Sequence, residues 1–244
     1  MTAAPVTGFR HGRSFFVQMD RFSCIHGMIV NSSRNLRGRL PEETGTQENE
    51  TMEYLFETTN LKIRKFCPED AQRLYEIHQE NPVGEWIPNE RYADLKEAEG
   101  AVNFYANCVD HDRLPYVLAV ESKLTGELIG DTGINEVEGK PEEVEIGYVI
   151  SEAFSGKGYA TELVEAMTEL AFRKFEKSIL YGRVMRGNDA SVRVLEKNGY
   201  SFFQEEIGAE DDPYGQGMLI YRRECPSDAA PEGQDGEPEQ PAEE

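Results

Sequence analysis

The sequence predicts an α+β fold, a mixed sheet flanked by helices. Three observations predict it. Apolar runs of strand length alternate with helix-period stretches in the order β α α β β β α β α β β between residues 61 and 222. Two of these strands are joined by the short turn Leu124-Thr125-Gly126, a hairpin signal. A third strand, residues 144–150, leads through the turn Ser155-Gly156-Lys157-Gly158 into the start of a helix.

In chain order, residues 1–50 lack clean periodicity. Six arginines, Arg10, Arg13, Arg21, Arg34, Arg37 and Arg39, stand against one acid, Asp20, before Pro41. No uninterrupted apolar run there qualifies as a secretory signal. Residues 1–51 are expected to be a flexible extension, with Met52 an alternative start. Residues 61–66 read as the first strand. Pro68 suits the first turn of a helix, Glu69 and Asp70 complement its dipole, and Ala71, Leu74, Tyr75 and Ile77 or His78 form its buried stripe. Residues 81–89 read as a loop holding the single tryptophan, Trp86. Asp94 suits the N-cap of a second helix carrying Ala98, Val102, Tyr105 and Ala106. The hairpin strands are residues 116–121 and 127–134.

After the glycine turn, Leu163, Val164, Met167, Leu170 and Ala171 share one helical face, and the helix runs to about Phe175. Residues 178–185 form a strand, 189–197 a helix, and 200–207 and 216–222 the last strands. The polar, glycine-rich loop 208–217 between those two is placed to gate a channel. From Glu224 the chain is rich in Pro, Gly, Glu and Asp, without Lys or Arg, and is expected to be disordered. The domain boundaries are therefore 1–51 (extension), 52–223 (folded domain) and 224–244 (acidic tail).

Composition narrows the function. The chain has 244 residues and a formal net charge of -21, which repels nucleic acid and steers cationic partners inward. Hydrophobic content is 39%, with no apolar run long enough to span a membrane. Cys24, Cys67, Cys108 and Cys225 are scattered without a C-x-x-C or Cys/His cluster, so neither zinc nor a disulfide framework is expected. Scattered thiols fit a reducing, cytoplasmic location.

The glycine turn carries the chemistry. The first N–H groups of a helix lack intrahelical partners and bear the positive end of its dipole, so they bind anions. Glycines without Cβ let a phosphate approach that backbone. Thirty residues on stands the run Asn188-Asp189-Ala190-Ser191-Val192-Arg193-Val194-Leu195-Glu196-Lys197-Asn198-Gly199-Tyr200. The pair G-x-G-Y-A-T-E and N-x-x-S-x-x-V-L-E-K-x-G-Y resembles the GNAT superfamily of acyl-CoA-dependent N-acetyltransferases, most closely the branch that acetylates N-termini of ribosomal proteins. The resemblance covers about residues 61–223. Neither G-x-x-x-x-G-K-[ST] nor G-x-G-x-x-G occurs, so no P-loop or Rossmann site competes.

The resemblance implies a mixed, mostly antiparallel sheet whose central strands, residues 144–150 and 178–185, splay apart to receive the pantetheine arm of acetyl-CoA. It assigns the phosphates to the backbone N–H groups of Ser155, Gly156, Lys157, Gly158, Tyr159 and Ala160, with charge added by Lys157. The family's Arg or Gln three residues before the first glycine is here Ala153. The N–H of Tyr148 or Val149 would face the thioester oxygen. Glu145 would take the amine proton through a water; the other reading is a solvated or salt-bridged strand glutamate. Asn188 would bind the pantetheine amides, or serve as a helix cap. Leu195 stands where many members carry a tyrosine acid; Ser191, which matches a serine of the N-terminal-acetylating branch, would protonate the leaving thiolate, or a water relay or a simple hydrogen bond to sulfur would serve instead. Tyr200 would pack rather than react. Trp86, with Ile87 and Pro88, would line the acceptor site, or anchor the core.

Proton bookkeeping bears on the acceptor. A lysine amine must lose about 3 pKa units of protonation near neutrality, roughly 4 kcal/mol, whereas an α-amine is already partly neutral. A water-relayed carboxylate therefore suits an α-amine. The expectation is direct transfer of acetyl from acetyl-CoA, as co-substrate and without metal, to a protein N-terminal α-amine. Two alternatives are a small-molecule amine acceptor, such as a polyamine or aminoglycoside, and a CoA-binding or interaction protein without catalysis. The protein is expected to act as a monomer or homodimer, with neither nucleic acid nor membrane as partner.

Overall fold

The computed structural model describes residues 54–207 and 217–226. The expected extension, the gating loop apart from Gly217, and most of the acidic tail lie outside these residues. Eight strands form one sheet: β1 (Tyr54–Glu57), β2 (Leu61–Arg64), β3 (Tyr116–Ser122), β4 (Leu128–Val137), β5 (Lys140–Ile150), β6 (Ile179–Met185), β7 (Ser201–Glu206) and β8 (Met218–Glu224). Their order is β1-β2-β3-β4-β5-β6-β8-β7. Every neighbouring pair is antiparallel except β5 with β6, which run parallel. The helices are α1 (Ala71–His78), α2 (Asn81–Trp86), α3 (Leu95–Asp110), α4 (Tyr159–Arg173) and α5 (Asp189–Lys197).

The α+β class and the mixed sheet agree with the expectation, and two elements are added to the expected order. Strand β1 pairs with β2 at the sheet edge. Helix α2 occupies the segment read as a loop: Pro82 sits in its first turn, where a missing N–H costs nothing, and six residues are too few to show a period. The hairpin β4–β5 is also longer than expected, turning at Gly139, whose φ is +72°.

Apolar packing fixes both faces of the sheet. Leu163, Val164, Met167 and Ala171 of α4 and Leu195 of α5 pack with Ile134, Val144, Ile146 and Leu180 on one face. Leu74 and Ile77 of α1, Val83 of α2, and Ala98, Val102 and Tyr105 of α3 pack with Val117, Ala119 and Val149 on the other. Asp94 caps α3, accepting a 2.9 Å hydrogen bond from the Glu97 N–H. Arg64 donates to both oxygens of Asp70 at 2.6 and 2.9 Å, and to Glu121, fixing the entry to α1 against β2 and β3.

The feature that positions the site is a split. Strands β5 and β6 pair only at Glu143–Ile179, Val144–Leu180 and Glu145–Tyr181. Beyond Glu145 each continues without the other, to Ile150 and Met185. A gap therefore opens at the centre of the sheet, from the α4–α5 face through to the α1–α3 face.

Candidate active site

A cavity of about 670 Å³ fills this split. The α4–α5 side begins with the glycine turn. Gly156 and Gly158 hold φ of +74° and +85°, left-handed values that favour glycine, and a Cβ on either would meet nothing within 4 Å. Gly158 is the N-cap of α4 and no side chain caps the helix, so the N–H groups of its first turn face an open concavity. That is a cradle fitted to an anion. Ser155, Gly156, Gly158, Tyr159 and Ala160 line the cavity. Lys157 does not: its Nζ donates to the Ala153 carbonyl at 3.1 Å and lies 4.7 Å from the Phe154 ring centre. The turn is tied to the opposite face by Glu80, which accepts from Ser151 Oγ at 2.7 Å and Glu152 N–H at 2.6 Å.

Asn188 lines the cavity and also caps α5, its Oδ1 accepting from the Ser191 N–H at 3.2 Å. Ser191 lines the same wall and accepts a 3.1 Å hydrogen bond from the Tyr148 hydroxyl. Burial raises the Tyr148 phenol above its ordinary pKa, against the opposing pull of Ser191, so it stays a proton donor. The Leu195 side chain packs into the core against Gly182. Tyr200 is buried with its hydroxyl 2.8 Å from Thr168, and burial pushes it to about 12.

The α1–α3 side is acidic. Asp131, Gly133 and Asn135 of β4 stand opposite Val149, Gly147 and Glu145 of β5, and all six line the cavity. Glu145 sits where the strands part. Arg183 on β6 is 3.9 Å from it but binds Glu206 more closely, at 2.7 Å. Glu145 keeps 26% of its side-chain surface toward the cavity. Even so, burial of its carboxyl outweighs Arg183, with Glu90 and Glu206 adding repulsion, and its pKa is raised to about 7. Trp86 lines this side and packs on Tyr181, Met185, Met218 and Ile220, so it is both wall and anchor.

Sequence reasoning missed several residues here. His78 is fully buried; its Nδ1 lies 2.6 Å from the Glu90 carbonyl and its Nε2 2.7 Å from Asp131. A carbonyl only accepts, so Nδ1 carries a proton, and the imidazole pins the Pro88–Glu90 turn to β4. Asn89, Glu90, Asp131, Asn135 and Arg183 all reach the cavity. Their one sequence signal was polarity within runs that otherwise read as strand or turn.

A sheet split at its centre, with an uncapped glycine-led helix N-terminus at one side and an acidic chamber at the other, fits an anionic co-substrate threaded through the sheet toward a cationic acceptor. A family model described as acetyltransferase (GNAT) domain matches residues 60–201, and the chain belongs to that family. It is an acetyl-CoA-dependent N-acetyltransferase. N-acetyltransferase p20 of Bacillus licheniformis, itself uncharacterized, is 27% identical over 169 residues, 69% of this chain and 92% of that protein. Two solved structures share the fold. Ribosomal-protein-S5-alanine acetyltransferase from Vibrio fischeri matches with a TM-score of 0.59 at 15% identity, covering 69% of this chain and 95% of that one. RimL, a ribosomal L7/L12 α-N-protein acetyltransferase in complex with coenzyme A, matches with a TM-score of 0.61 at 17% identity, covering 72% and 100%. Among the described residues no helix is long and apolar enough to cross a membrane.

Proposed function

We propose that the acceptor is a protein N-terminal α-amine and that Glu145 and Ser191 handle the two protons of the transfer. One observation carries this reading: at the base of the split stands a half-buried carboxyl, its pKa raised to about 7 by desolvation, on the side of the cavity where, among the described residues, Glu90, Asp131 and Glu145 itself face the single cation Arg183. A base tuned near 7 is matched to an α-amine near 7.7–8.0 and poorly matched to a lysine near 10.4. The similarity to RimL and to the S5-alanine acetyltransferase, both acting on ribosomal proteins by their descriptions, supports it.

Acetyl-CoA, when bound, supplies the thioester whose acetyl group is transferred. The N–H groups from Gly156 to Ala160 hold its phosphates; the expected Ser155 donor is taken, its N–H donating to the Glu152 carbonyl at 3.1 Å, and Ala153 contributes no side-chain donor. Asn188 holds the pantetheine, and the N–H of Tyr148 or Val149 polarises the carbonyl. On the opposite side Glu145 accepts the amine proton through a water. Ser191 gives a proton toward the departing sulfur, and the Tyr148 hydroxyl, already donating to Ser191, replaces it and regains its own proton from solvent.

The test is thiol release from acetyl-CoA with a panel of acceptors: a peptide with a free N-terminus, the same peptide N-blocked with an internal lysine, a polyamine and an aminoglycoside. Turnover confined to the free N-terminus is expected. Faster turnover with the polyamine or aminoglycoside overturns the assignment in favour of a small-molecule acceptor.

A further inference from the structure

Two amide side chains on the α1–α3 side of the cavity have a polar atom buried without a hydrogen-bond partner, Asn89 Nδ2 and Asn135 Oδ1. Asn135 is only 8% exposed. Leaving a buried polar group unmatched is costly, so folded proteins carry few of them. Here two lie around one chamber, and they are complementary: one is a donor, the other an acceptor.

Glycines form the floor beside Asn135, where a Cβ on Gly133 would meet Val117 Cγ2 at 3.1 Å and the Asn135 amide at 3.6 and 3.7 Å. Gly133 and Gly147 face each other in register across β4 and β5, flanked by the Asn135–Glu145 pair on one side and the Asp131–Val149 pair on the other. A Cβ on Gly147 would meet nothing within 4 Å, so the chamber above it is open. Asn135 stands directly across from Glu145, the carboxyl assigned to the amine.

We propose that this chamber is a binding site for the first peptide unit of the acceptor, with Asn135 Oδ1 accepting from its N–H and Asn89 Nδ2 donating to its carbonyl. The inference rests on the α-amine reading and sharpens it. A peptide unit lies next to the α-carbon of every protein N-terminus. A polyamine has no carbonyl, and a lysine side chain places its peptide groups several bonds away from the amine. A missed hydrogen bond at a site built to make one is a strong basis for rejection. Selection would thus lie in two amides and the open backbone at Gly147 rather than in a side-chain pocket.

The experiment compares three acceptors of matched length: a short peptide, its depsipeptide analogue with the first amide replaced by an ester, and a plain alkylamine. The ester keeps the carbonyl and lacks the N–H. Wild type is expected to favour the peptide over the ester by about tenfold in kcat/KM, and the ester over the alkylamine by a similar factor. Asn135→Leu should bring peptide and ester within about twofold, leave the KM for acetyl-CoA unchanged, and leave the thermal midpoint unchanged or higher, since an orphaned acceptor is gone. Asn89→Ala should slow peptide and ester alike while sparing the alkylamine. Equal wild-type rates on peptide and ester overturn the site while leaving the α-amine reading intact; this arm needs no variant and is unaffected if Asn135→Leu folds poorly. Absence of turnover with every peptide, against activity on the alkylamine, overturns both.

Discussion

Glu145→Gln removes the ionisable group while keeping its size and its position at the base of the split. With a pKa of about 7, the wild-type carboxyl is about one tenth ionised at pH 6 and about nine tenths at pH 8. The acid limb of kcat/KM should therefore break near 7 in wild type. In the glutamine variant the amine must lose its proton to solvent, so the break should move to the acceptor's own pKa, about 7.7–8.0 for an α-amine. Turnover should fall on the order of 10²-fold at pH 6–7 and recover part of that above pH 8. The KM for acetyl-CoA should stay within about twofold, because Glu145 faces the α1–α3 side of the sheet. Stability supplies a second readout with a definite sign. The folded state raises this pKa from 4.5 to about 7, so ionisation of Glu145 opposes folding. That cost is absent below about 4.5 and complete above about 7, up to roughly 3 kcal/mol. Glu145→Gln should then raise the thermal midpoint at pH 8 and leave it unchanged near pH 4. An unshifted pH–rate profile with less than a threefold loss would refute the reasoning and return Glu145 to a structural role.

Ser191→Ala and Tyr148→Phe should each lower kcat at every pH below the phenol's titration, by about 10²-fold and about tenfold respectively; weakened acetyl-CoA binding with normal kcat would make the serine a cofactor contact. Gly158→Asp places a side chain and a negative charge at the open cradle, and should weaken acetyl-CoA binding at least tenfold, about 1.4 kcal/mol, in calorimetry; unchanged affinity removes the turn from the site. A chain spanning residues 52–226 should keep both the thermal midpoint and the acetyl-CoA affinity of the full protein, and a lower midpoint would show that a removed segment packs on the domain.

Most of the architecture is legible in the sequence because its signals are local. The strand, glycine turn and helix at residues 144–171 announce themselves by period and by composition, and the same glycines carry the positive φ values that shape the cradle. Asp94 is a helix cap in the sequence and in the structure. Strand β1 escaped because four residues beside a polar stretch show no useful alternation, and α2 because a single proline-led turn reads equally well as a loop. The acceptor chamber was hidden for a different reason. Asn135 meets Glu145, and Gly133 meets Gly147, through register across a hairpin. The Tyr148 hydroxyl reaches Ser191 across 43 positions of sequence. His78 looked like one more residue on a buried helical stripe, whereas its ring joins Asp131 on β4 to the turn at Glu90. Such pairings depend on which strands become neighbours, which no single stretch encodes.

The most direct test of the central claim is where the acetyl group goes. A single peptide carrying both a free N-terminus and an internal lysine would be incubated with the protein and acetyl-CoA near pH 7, and the modified residue located by fragmentation mass spectrometry. The account expects a single acetyl group on the α-amine, with the lysine unmodified. Acetylation of the lysine with the N-terminus left free would contradict it.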